Sequence, residues 1–453
     1  MRPLLRHSVR ITCFIFSSLL LCTNLAAKTF TVTSFTDGHG PNTLRGAIIA
    51  ANHSGGHNTI ILAPGHYRLT IPGSSENYGL TGDLDISGKL TITTQRGLPA
   101  TIDARNLGDR VFHIQSGAKV TMENLVITGG TSPSDALNAE LEGGGILNLG
   151  TIKMDNCVID GNKAGNDGYA FLISLNGGDG GGIYNSGTMS MSKCVIRGNF
   201  GGLAGDGFGG RGGDGGGIFN TALLSLNNCS ISNNCAGRGG EGFTFFIGGG
   251  ILETGYEGGS GGAGGGIYNV GKLTVNASRI TANQAGHGGI GGLVSGTGGF
   301  GGAGGGIYND SLTSLKLSDC VISNNVAGTG GDGQTANGDG QHPILDGISD
   351  NGGDGGIGGN GGGIFNENGS LSPMLYQCLV AFNSPGTGGS AGPGRLNSGG
   401  LVGNTGADGT GPDLARQFAT QGHNLIRIGD GSTGIINGVN NDTVGTLAQP
   451  ANP

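Results

Sequence analysis

Short stretches in which apolar and polar residues alternate recur through the middle of the chain. Thr188–Ser192 reads Thr-Met-Ser-Met-Ser, and Lys272–Asn276 reads Lys-Leu-Thr-Val-Asn. A period of two places the apolar side chains on one face of a β-strand and the polar ones on the other. One such strand cannot bury its apolar face alone, so the pattern predicts strands that stack on neighbouring copies.

A composite motif surrounds these stretches. It opens with Gly-Gly-Gly-Ile, an aromatic residue or Leu, and Asn; we call this the anchor. The anchors are 143–148, 180–185, 215–220, 264–269, 304–309 and 361–366, with a degenerate copy at 248–253. The motif closes with Cys-x-Ile-x-x-Asn or a variant at 157–162, 194–199, 229–234, 278–283, 320–325 and 378–383, with an earlier relative at 125–130. A unit of roughly 20 residues therefore alternates with inserts of variable length.

The fixed spacing inside the motif predicts the coils of a parallel β-helix. In the first four copies the anchor Ile precedes the Cys or Ser position by 11 residues (146 to 157, 183 to 194, 218 to 229, 267 to 278). Stacking in register places equivalent residues above one another at about 4.8 Å. We therefore expect an Ile ladder and two Asn ladders, with Asn at the corners because it bonds the next Asn and tolerates left-handed backbone.

Composition removes several other classes of protein. Glycine makes up 103 of 453 residues, whereas proline makes up only 13, so collagen is excluded, and glycine of this abundance excludes a coiled coil. Hydrophobic residues reach 35% and the net charge is −8, which excludes a charged disordered tail and a basic nucleic-acid binder. The glycine is concentrated in 131–403, which separates an N-terminal cap and first coils (28–130) from the repeat coils (131–403) and the C-terminal coils or tail (404–453).

The inserts carry tracts of the form Gly-Gly-x, such as Gly209–Asp214 and Gly298–Ala303. Two interpretations stay open: extended polyglycine-like strands packed beside the helix, or mobile loops. A calcium-binding nonapeptide fails, because Gly177–Ile183 has glycine where the aspartate ligand belongs. A phosphate-binding loop fails too, because no Gly-Lys-Ser or Gly-Lys-Thr follows any tract.

Residues 1–27 have the organisation of a secretory signal peptide. Arg2, Arg6 and Arg10 form a basic region, 11–21 is an apolar core too short to span a bilayer, and 25–27 offers a small-residue cleavage site. We therefore expect an exported mature chain without a transmembrane segment.

Eight cysteines occur, two of them in the signal segment. Five of the others share one phase of the repeat, and Cys235 alone is out of phase. Exported cysteines suggest disulfides between adjacent coils. Ser278 and Leu125 occupy the same phase, however, and this favours a stack of buried thiols. Metal binding is not expected, because there is no Cys-x-x-Cys pair or His partner.

A carboxylate cluster would be needed for an enzyme of the polysaccharide-degrading kind. The candidates are Asp83, Asp85, Asp103, Arg105, Asp109, Arg110 and His113. Asp83 and Asp85 are expected on the same face of a strand. The simpler interpretation is that all seven are exterior and turn residues of the first coils, so no catalytic, metal or cofactor residue is assigned.

The anchors with their glycine inserts resemble the repeats of polymorphic outer-membrane proteins and of related right-handed β-helix surface proteins of Gram-negative bacteria. Segments 30–33, 42–52 and 59–62 are similar to the capping start of such helices, in which a short amphipathic helix closes the open end. Here Thr43 is the expected N-cap, with Leu44, Ala47, Ile48 and Ala51 on the apolar face. Segments 100–104, 110–114 and 422–440 fit further coils.

The resemblance implies a right-handed parallel β-helix at the cell surface. Family members usually continue into a surface anchor or a membrane barrel, whereas no series of alternating membrane strands follows the helix here. We therefore expect a secreted stand-alone helix, an outer-membrane anchor in another chain, or a truncated gene.

The function expected from these features is that of a non-enzymatic surface protein, either an adhesin or a surface layer. Host-cell, matrix or glycan ligands are the expected partners, without nucleic acid or cofactors. The alternative is a polysaccharide lyase or glycoside hydrolase of the β-helix type, which rests on fold analogy alone.

Overall fold

A computed structural model describes residues 26–453 except 75, 135–140, 167–175, 208, 248–250, 311, 337–350, 368–371 and 395–399. The signal-peptide prediction therefore lies almost entirely outside the described residues. No helix within the described part of the chain is long and apolar enough to cross a membrane.

Three parallel sheets run the length of the molecule. The first contains Thr29–Val32, His57–Leu62, Lys89–Thr94, Lys119–Glu123, Thr151–Asp155, Thr188–Ser192, Leu223–Asn227, Lys272–Asn276, Ser314–Ser318, Met374–Tyr376 and Ala419–Gly422. The second contains Leu84–Ile86, Phe112–Ile114, Ile146–Asn148, Ile183–Asn185, Ile218–Asn220, Ile267–Asn269, Ile307–Asn309, Ile364–Asn366, Leu414–Gln417 and Ser432–Thr433. The third contains Gly65–Arg68, Ala100–Asp103, Leu125–Thr128, Val158–Asp160, Val195–Arg197, Ser230–Ser232, Arg279–Thr281, Val321–Ser323, Leu379–Ala381, Leu425–Ile426 and Thr443–Val444.

Each coil from Ile146 to Ala381 visits the second, first and third sheets in that order and then leaves the barrel through an insert. The predicted register is confirmed: Ile146 pairs with Ile183, Ile183 with Ile218, and the ladder continues through every later anchor. The anchor isoleucines are fully buried. The chain is a right-handed parallel β-helix, the hand that parallel crossovers adopt almost without exception.

The predicted capping helix closes one end of the barrel. It spans Leu44–Asn52, and the Thr43 hydroxyl accepts the N–H of Gly46. The four predicted apolar residues are buried in the core. Arg45 is buried as well, because its guanidinium pairs with Asp37 at 2.8 Å and donates to the carbonyls of the 79–83 turn. Gln95–Gly97 forms one 3₁₀ turn.

Two Asn ladders line the corners, as predicted. Each side-chain amide donates to the amide oxygen of the equivalent Asn in the next coil. The distances are 2.6–2.8 Å in the anchor ladder (148, 185, 220, 269, 309, 366) and 2.9–3.0 Å in the other ladder (162, 199, 234, 283, 325, 383). Asp413 ends the second ladder by accepting from Asn383. A carboxylate cannot donate onward, so the ladder stops there.

The left-handed backbone is not where we expected it. The ladder asparagines do not adopt positive φ. In the second ladder, the residue before each Asn does, as at Gly161 (φ 65°) and Asn233 (φ 55°). The first anchor glycine also has positive φ, for example 65° at Gly215. Ladder Asn is therefore retained for its hydrogen bonds and not for its backbone conformation.

The degenerate anchor at 248–253 does not form another coil. Thr244–Ile247 and Ile251–Gly255 pair as a small antiparallel sheet. The missing Asn explains the difference, because without it this segment has no place in the anchor ladder. Residues 248–250 lie outside the described part of the chain.

Candidate functional site: the faces of a glycine slab

The glycine inserts form two ordered rows beside the barrel. The outgoing row leaves the third sheet and contains 163–166, 200–207, 235–243, 284–292, 326–334 and 384–392. The return row leads back to the second sheet and contains 176–182, 209–217, 255–266, 296–306, 351–363 and 400–411. We call the two rows together the glycine slab. The packed interpretation of the tracts is therefore the one the structure adopts.

Hydrogen bonds repeat every third residue within each row. In the outgoing row Ala236, Gly239 and Gly242 donate their N–H groups to carbonyls of the next layer, three residues apart. A repeat of three matches the polyproline II helix, which has no internal hydrogen bonds and so leaves its N–H groups for neighbours. Each row is thus a stack of extended threefold helices.

A second set of bonds joins the two rows. Gly237 donates to Gly213 at 2.8 Å, Gly262 donates to Gly237 at 2.8 Å, and Gly286 donates to Gly262 at 2.7 Å. The pairs 237–213 and 240–210 show that the two rows run antiparallel. Hydrogen bonds therefore connect each extended glycine helix both to the next layer of its own row and to the other row.

Only glycine permits this spacing. A Cβ atom at Gly237 would lie 1.8 Å from the carbonyl oxygen of Gly202, and one at Gly356 would lie 1.9 Å from that of Gly299. Two positions in every three face a neighbouring helix in this way. The third position faces outward and accepts other residues; we call it the x site.

At several x sites the backbone N–H is satisfied by an aspartate or asparagine side chain of the neighbouring layer. The N–H of Arg211 donates to the Asn176 side chain at 2.9 Å, and that of Asn404 donates to Asp354 at 2.6 Å. The same contact recurs at 203, 214, 241, 263, 390, 401 and 410. Many acidic residues of the inserts therefore have a structural role.

The return row displays its x-site side chains on an outer face. Ser260, Phe300, Ile357 and Ala407 follow one another along this face. Phe300 is 57% exposed and Ile357 is 46% exposed. A groove of about 450 Å³ runs across them, and Glu257, Asp354 and Asn404 add polar groups to its walls.

An aromatic ladder lies between the barrel and the slab. The anchor aromatics Tyr184, Phe219, Tyr268, Tyr308 and Phe365 stack with ring centroids 4.6–5.2 Å apart. Phe219 and Tyr268 pack on Ala263 of the return row. The recurring aromatic position in the anchors was the signal for this ladder. It joins the slab to the second sheet and leaves little ring surface for a ligand.

The buried Asp214 and the partly buried Asp179 lie beside this ladder. The Asp214 carboxylate is 2.9 Å from the Arg211 guanidinium and accepts the N–H of Ala263 at 2.5 Å. Burial nevertheless raises the pKa of Asp214 to about 6. Burial also raises the pKa of Asp179, and the neighbouring Asp214 raises it further. These carboxyls are protonated more readily in the folded chain than in the unfolded chain.

We expect this arrangement to make the slab more stable in mild acid. Folded Asp214 keeps its proton to about pH 6, whereas the unfolded carboxyl releases it near pH 3.8, so between these values the unfolded state binds fewer protons. Stability therefore falls as the pH rises through this window, by on the order of 2 kcal/mol. Urea unfolding at pH 4.5 and 7 measures the difference, and Asp214→Asn is expected to reduce it. An unchanged pH dependence in that variant contradicts the assignment.

The sequence-predicted candidate residues are divided among three contacts near the cap. Asp83 pairs with Arg110 at 3.3 Å, both buried. Asp109 accepts the N–H groups of Asp83 and Arg110. Asp85 lies 2.9 Å from Nδ1 of His113. Asp83 and Asp85 therefore have different partners, Arg110 and His113. The expectation that the seven candidates are exterior and turn residues is wrong for all but Arg105, because the other six are buried.

The third contact is around Asp103. Its carboxylate lies 3.0 Å from His66 and 3.6 Å from Arg105, and it is largely buried while both partners are exposed. His66 was not among the predicted candidates, and no pattern in its strand marks it. No group of three or more His, Cys, Asp or Glu side chains with metal-binding geometry occurs among the described residues.

The cysteines outside the signal segment are free thiols. Those in the shared phase are buried along the core, at 157, 194, 229, 320 and 378, and Cys235 is partly buried. The hydrogen bond with the Cys157 thiol raises the pKa of Cys194 to about 12. The hydrogen bonds with Cys194 and Cys378 lower the pKa of Cys157 and Cys320, respectively. The cysteines thus form a stack of buried thiols, the arrangement that the sequence favoured.

No protein-family model and no curated protein matches the chain. Solved structures are similar at low identity. Pectate lyase Pel9A is 12% identical over 86% of this chain and 79% of its own, with a TM-score of 0.37. The pectin methylesterase from Aspergillus niger is 15% identical over 77% of this chain and 84% of its own, with a TM-score of 0.36.

The Dettilon tailspike protein is 14% identical over 92% of this chain and 68% of its own, with a TM-score of 0.28. At these values the similarities carry no statement about ligands or activity. The class of the protein follows from its own three parallel sheets and its register: it is a right-handed parallel β-helix repeat protein.

Proposed function

We propose that this chain is a non-enzymatic, exported recognition protein of the Gram-negative cell surface, related to the polymorphic outer-membrane proteins. The glycine slab is its recognition surface, and glycans or matrix proteins of a host are its ligands. One observation carries the proposal. Hydrogen bonds fix the backbone of the slab, whereas the x-site side chains differ from layer to layer. A rigid scaffold with variable side chains is typical of recognition surfaces.

The outer face of the return row has side chains that suit a glycan ligand. Phe300 and Ile357 are exposed apolar groups, and Glu257, Asp354 and Asn404 are hydrogen-bonding groups beside them. A sugar ring has an apolar C–H face and a rim of hydroxyls, so it is complementary to this mixture. Because the backbone is already ordered, binding does not have to order a loop first.

The carboxylates near the cap support a non-catalytic function. Asp83 and Asp85 each have a buried cationic or imidazole partner, at 3.3 Å and 2.9 Å. A pair of carboxylates acting on a glycosidic bond must both reach the substrate. Because Asp83 and Asp85 already bind partners near the cap, a structural role is favoured for both.

Binding by residues 28–453 to a glycan array, to host cells and to matrix proteins tests this proposal. We expect the double variant Phe300→Ala/Ile357→Ala to lose about tenfold or more in affinity, because apolar anchors dominate such surfaces. Leu223→Ala is the matched control, since Leu223 is 49% exposed on the first sheet, away from the slab. An absence of binding to all three, or release of reducing or unsaturated ends from a polysaccharide, contradicts the proposal. Protease shaving of intact cells tests the surface location.

A further inference from the structure

Phe382 is the bulkiest residue at one left-handed position of the repeat. The position before each Asn of the second ladder, and the equivalent Gly129 of the preceding coil, has a left-handed conformation with φ between 55° and 72°. The residues at this position are Gly129, Gly161, Gly198, Asn233, Ala282 and Asn324, followed in the last regular coil by Phe382 with φ 60°. Glycine and asparagine adopt this region readily, whereas a bulky residue there is an outlier.

Packing does not explain the phenylalanine. Its side chain is 51% exposed and takes no part in the hydrophobic core. Its ring instead contacts the guanidinium of Arg427, 4.7 Å from the ring centroid. Strained residues that bring no folding benefit are concentrated at binding and catalytic sites.

The phenylalanine lines a pocket, which we call the end pocket. It has a volume of about 780 Å³ and lies where both glycine rows meet the last turns of the barrel. Phe382, Pro385 and Leu447 form apolar walls, and Asp408, Arg427 and Asp430 add charged groups. Ligand sites of small molecules have volumes in this range and the same mixture of a mainly apolar lining with a few polar groups.

The two carboxylates are held in place by the backbone. Oδ1 of Asp408 accepts the N–H of Gly388 at 2.9 Å, and Oδ2 of Asp430 accepts the N–H of Leu447. Each therefore has a second oxygen that can accept a hydrogen bond from a ligand. Arg427 can donate from the same pocket.

We propose that the end pocket binds one residue of a carbohydrate. The apolar face of the sugar packs on the wall formed by Phe382 and Leu447. Its hydroxyls donate to Asp408 and Asp430 and accept from Arg427. The inference is independent of the slab, because none of these residues belongs to the groove around Phe300 and Ile357.

The test replaces Phe382, a bulky residue in a left-handed backbone conformation that glycine adopts freely. Residues 28–453 are titrated calorimetrically with neutral and amino sugars and their tetramers. We expect Phe382→Gly to lose at least about tenfold in sugar affinity, because the aromatic wall is gone, while its Tm is equal to or above that of the parent protein. Ala282→Gly is the matched control, since it relieves the same conformation in a coil remote from the pocket; its affinity should not change.

Asp430→Asn provides a second variant that leaves the backbone conflict in place, and it is also expected to weaken binding. The double variant at Phe300 and Ile357 should keep its sugar affinity at the end pocket, which separates this inference from the proposed function of the slab. The inference is overturned if the parent protein binds none of these sugars, if Phe382→Gly binds them unchanged, or if that variant loses its fold.

Discussion

Replacing Gly356 by Ala is expected to destabilise the glycine slab by about 3 kcal/mol. The added Cβ would lie 1.9 Å from the carbonyl oxygen of Gly299 and 2.6 Å from its carbonyl carbon. The layer cannot move aside, because Gly356 donates to Gly331 and accepts from Gly389, both at 2.8 Å. The free energy of unfolding from urea titration measures the effect. If the slab unfolds before the barrel, the free energy of its local opening measures it instead.

The next residue provides the matched control. Ile357 occupies an x site and is 46% exposed, so Ile357→Ala removes more atoms than Gly356→Ala adds, but it removes them from the surface. We expect a change within about 0.5 kcal/mol. If the two variants have equal stability, the slab is not packed as described.

The second large effect is expected at the corner ladder, where Asn234→Ala should cost about 3 kcal/mol. Asn234 donates from its side chain to the Ile196 carbonyl at 3.0 Å and to Asn283 at 2.9 Å. Its oxygen accepts from the backbone and the side chain of Asn199. Truncation leaves buried donors without acceptors, and each of these costs about 1–3 kcal/mol.

Asn233→Gly tests whether the effect belongs to the ladder. Asn233 is exposed and has φ 55°, a conformation that glycine adopts freely. The free energy of unfolding of this variant should remain within about 0.5 kcal/mol of the parent value. A loss in Asn233→Gly as large as that in Asn234→Ala would indicate a general sensitivity of the corner, and not a role for the ladder.

The parts of the fold that were predictable are those in which one residue recurs at one phase. The Ile ladder, both Asn ladders and the thiol stack all follow from fixed spacing, because in-register stacking brings equal residues together. The capping helix was predictable from Thr43 and its apolar face. The prediction of left-handed backbone at the ladder Asn was wrong. Asn is suited both to a hydrogen-bonded ladder and to a left-handed turn, and the sequence does not show which of the two it forms.

The sequence does not decide between packed tracts and mobile loops, because glycine has no side-chain pattern. A period of three in Gly-Gly-x suits a packed threefold helix and equally a low-complexity loop. The aspartates and asparagines at x sites favour the packed form, since residues such as Asp354 accept a backbone N–H of the next layer. Phe382 was visible in the sequence as an odd residue in the repeat, but its conflict with the backbone appears only once φ is known.

The central claim is that the glycine rows form an ordered, hydrogen-bonded surface, and hydrogen–deuterium exchange of residues 28–453 tests it most directly. We predict that the hydrogen-bonded amides in 201–207, 209–217 and 286–306 exchange slowly, with protection close to that of the barrel strands, because these N–H groups donate to backbone carbonyls at 2.7–3.2 Å. Gly356→Ala should accelerate exchange in the layers on either side. Exchange at the rates of an unstructured chain throughout these segments would contradict the account.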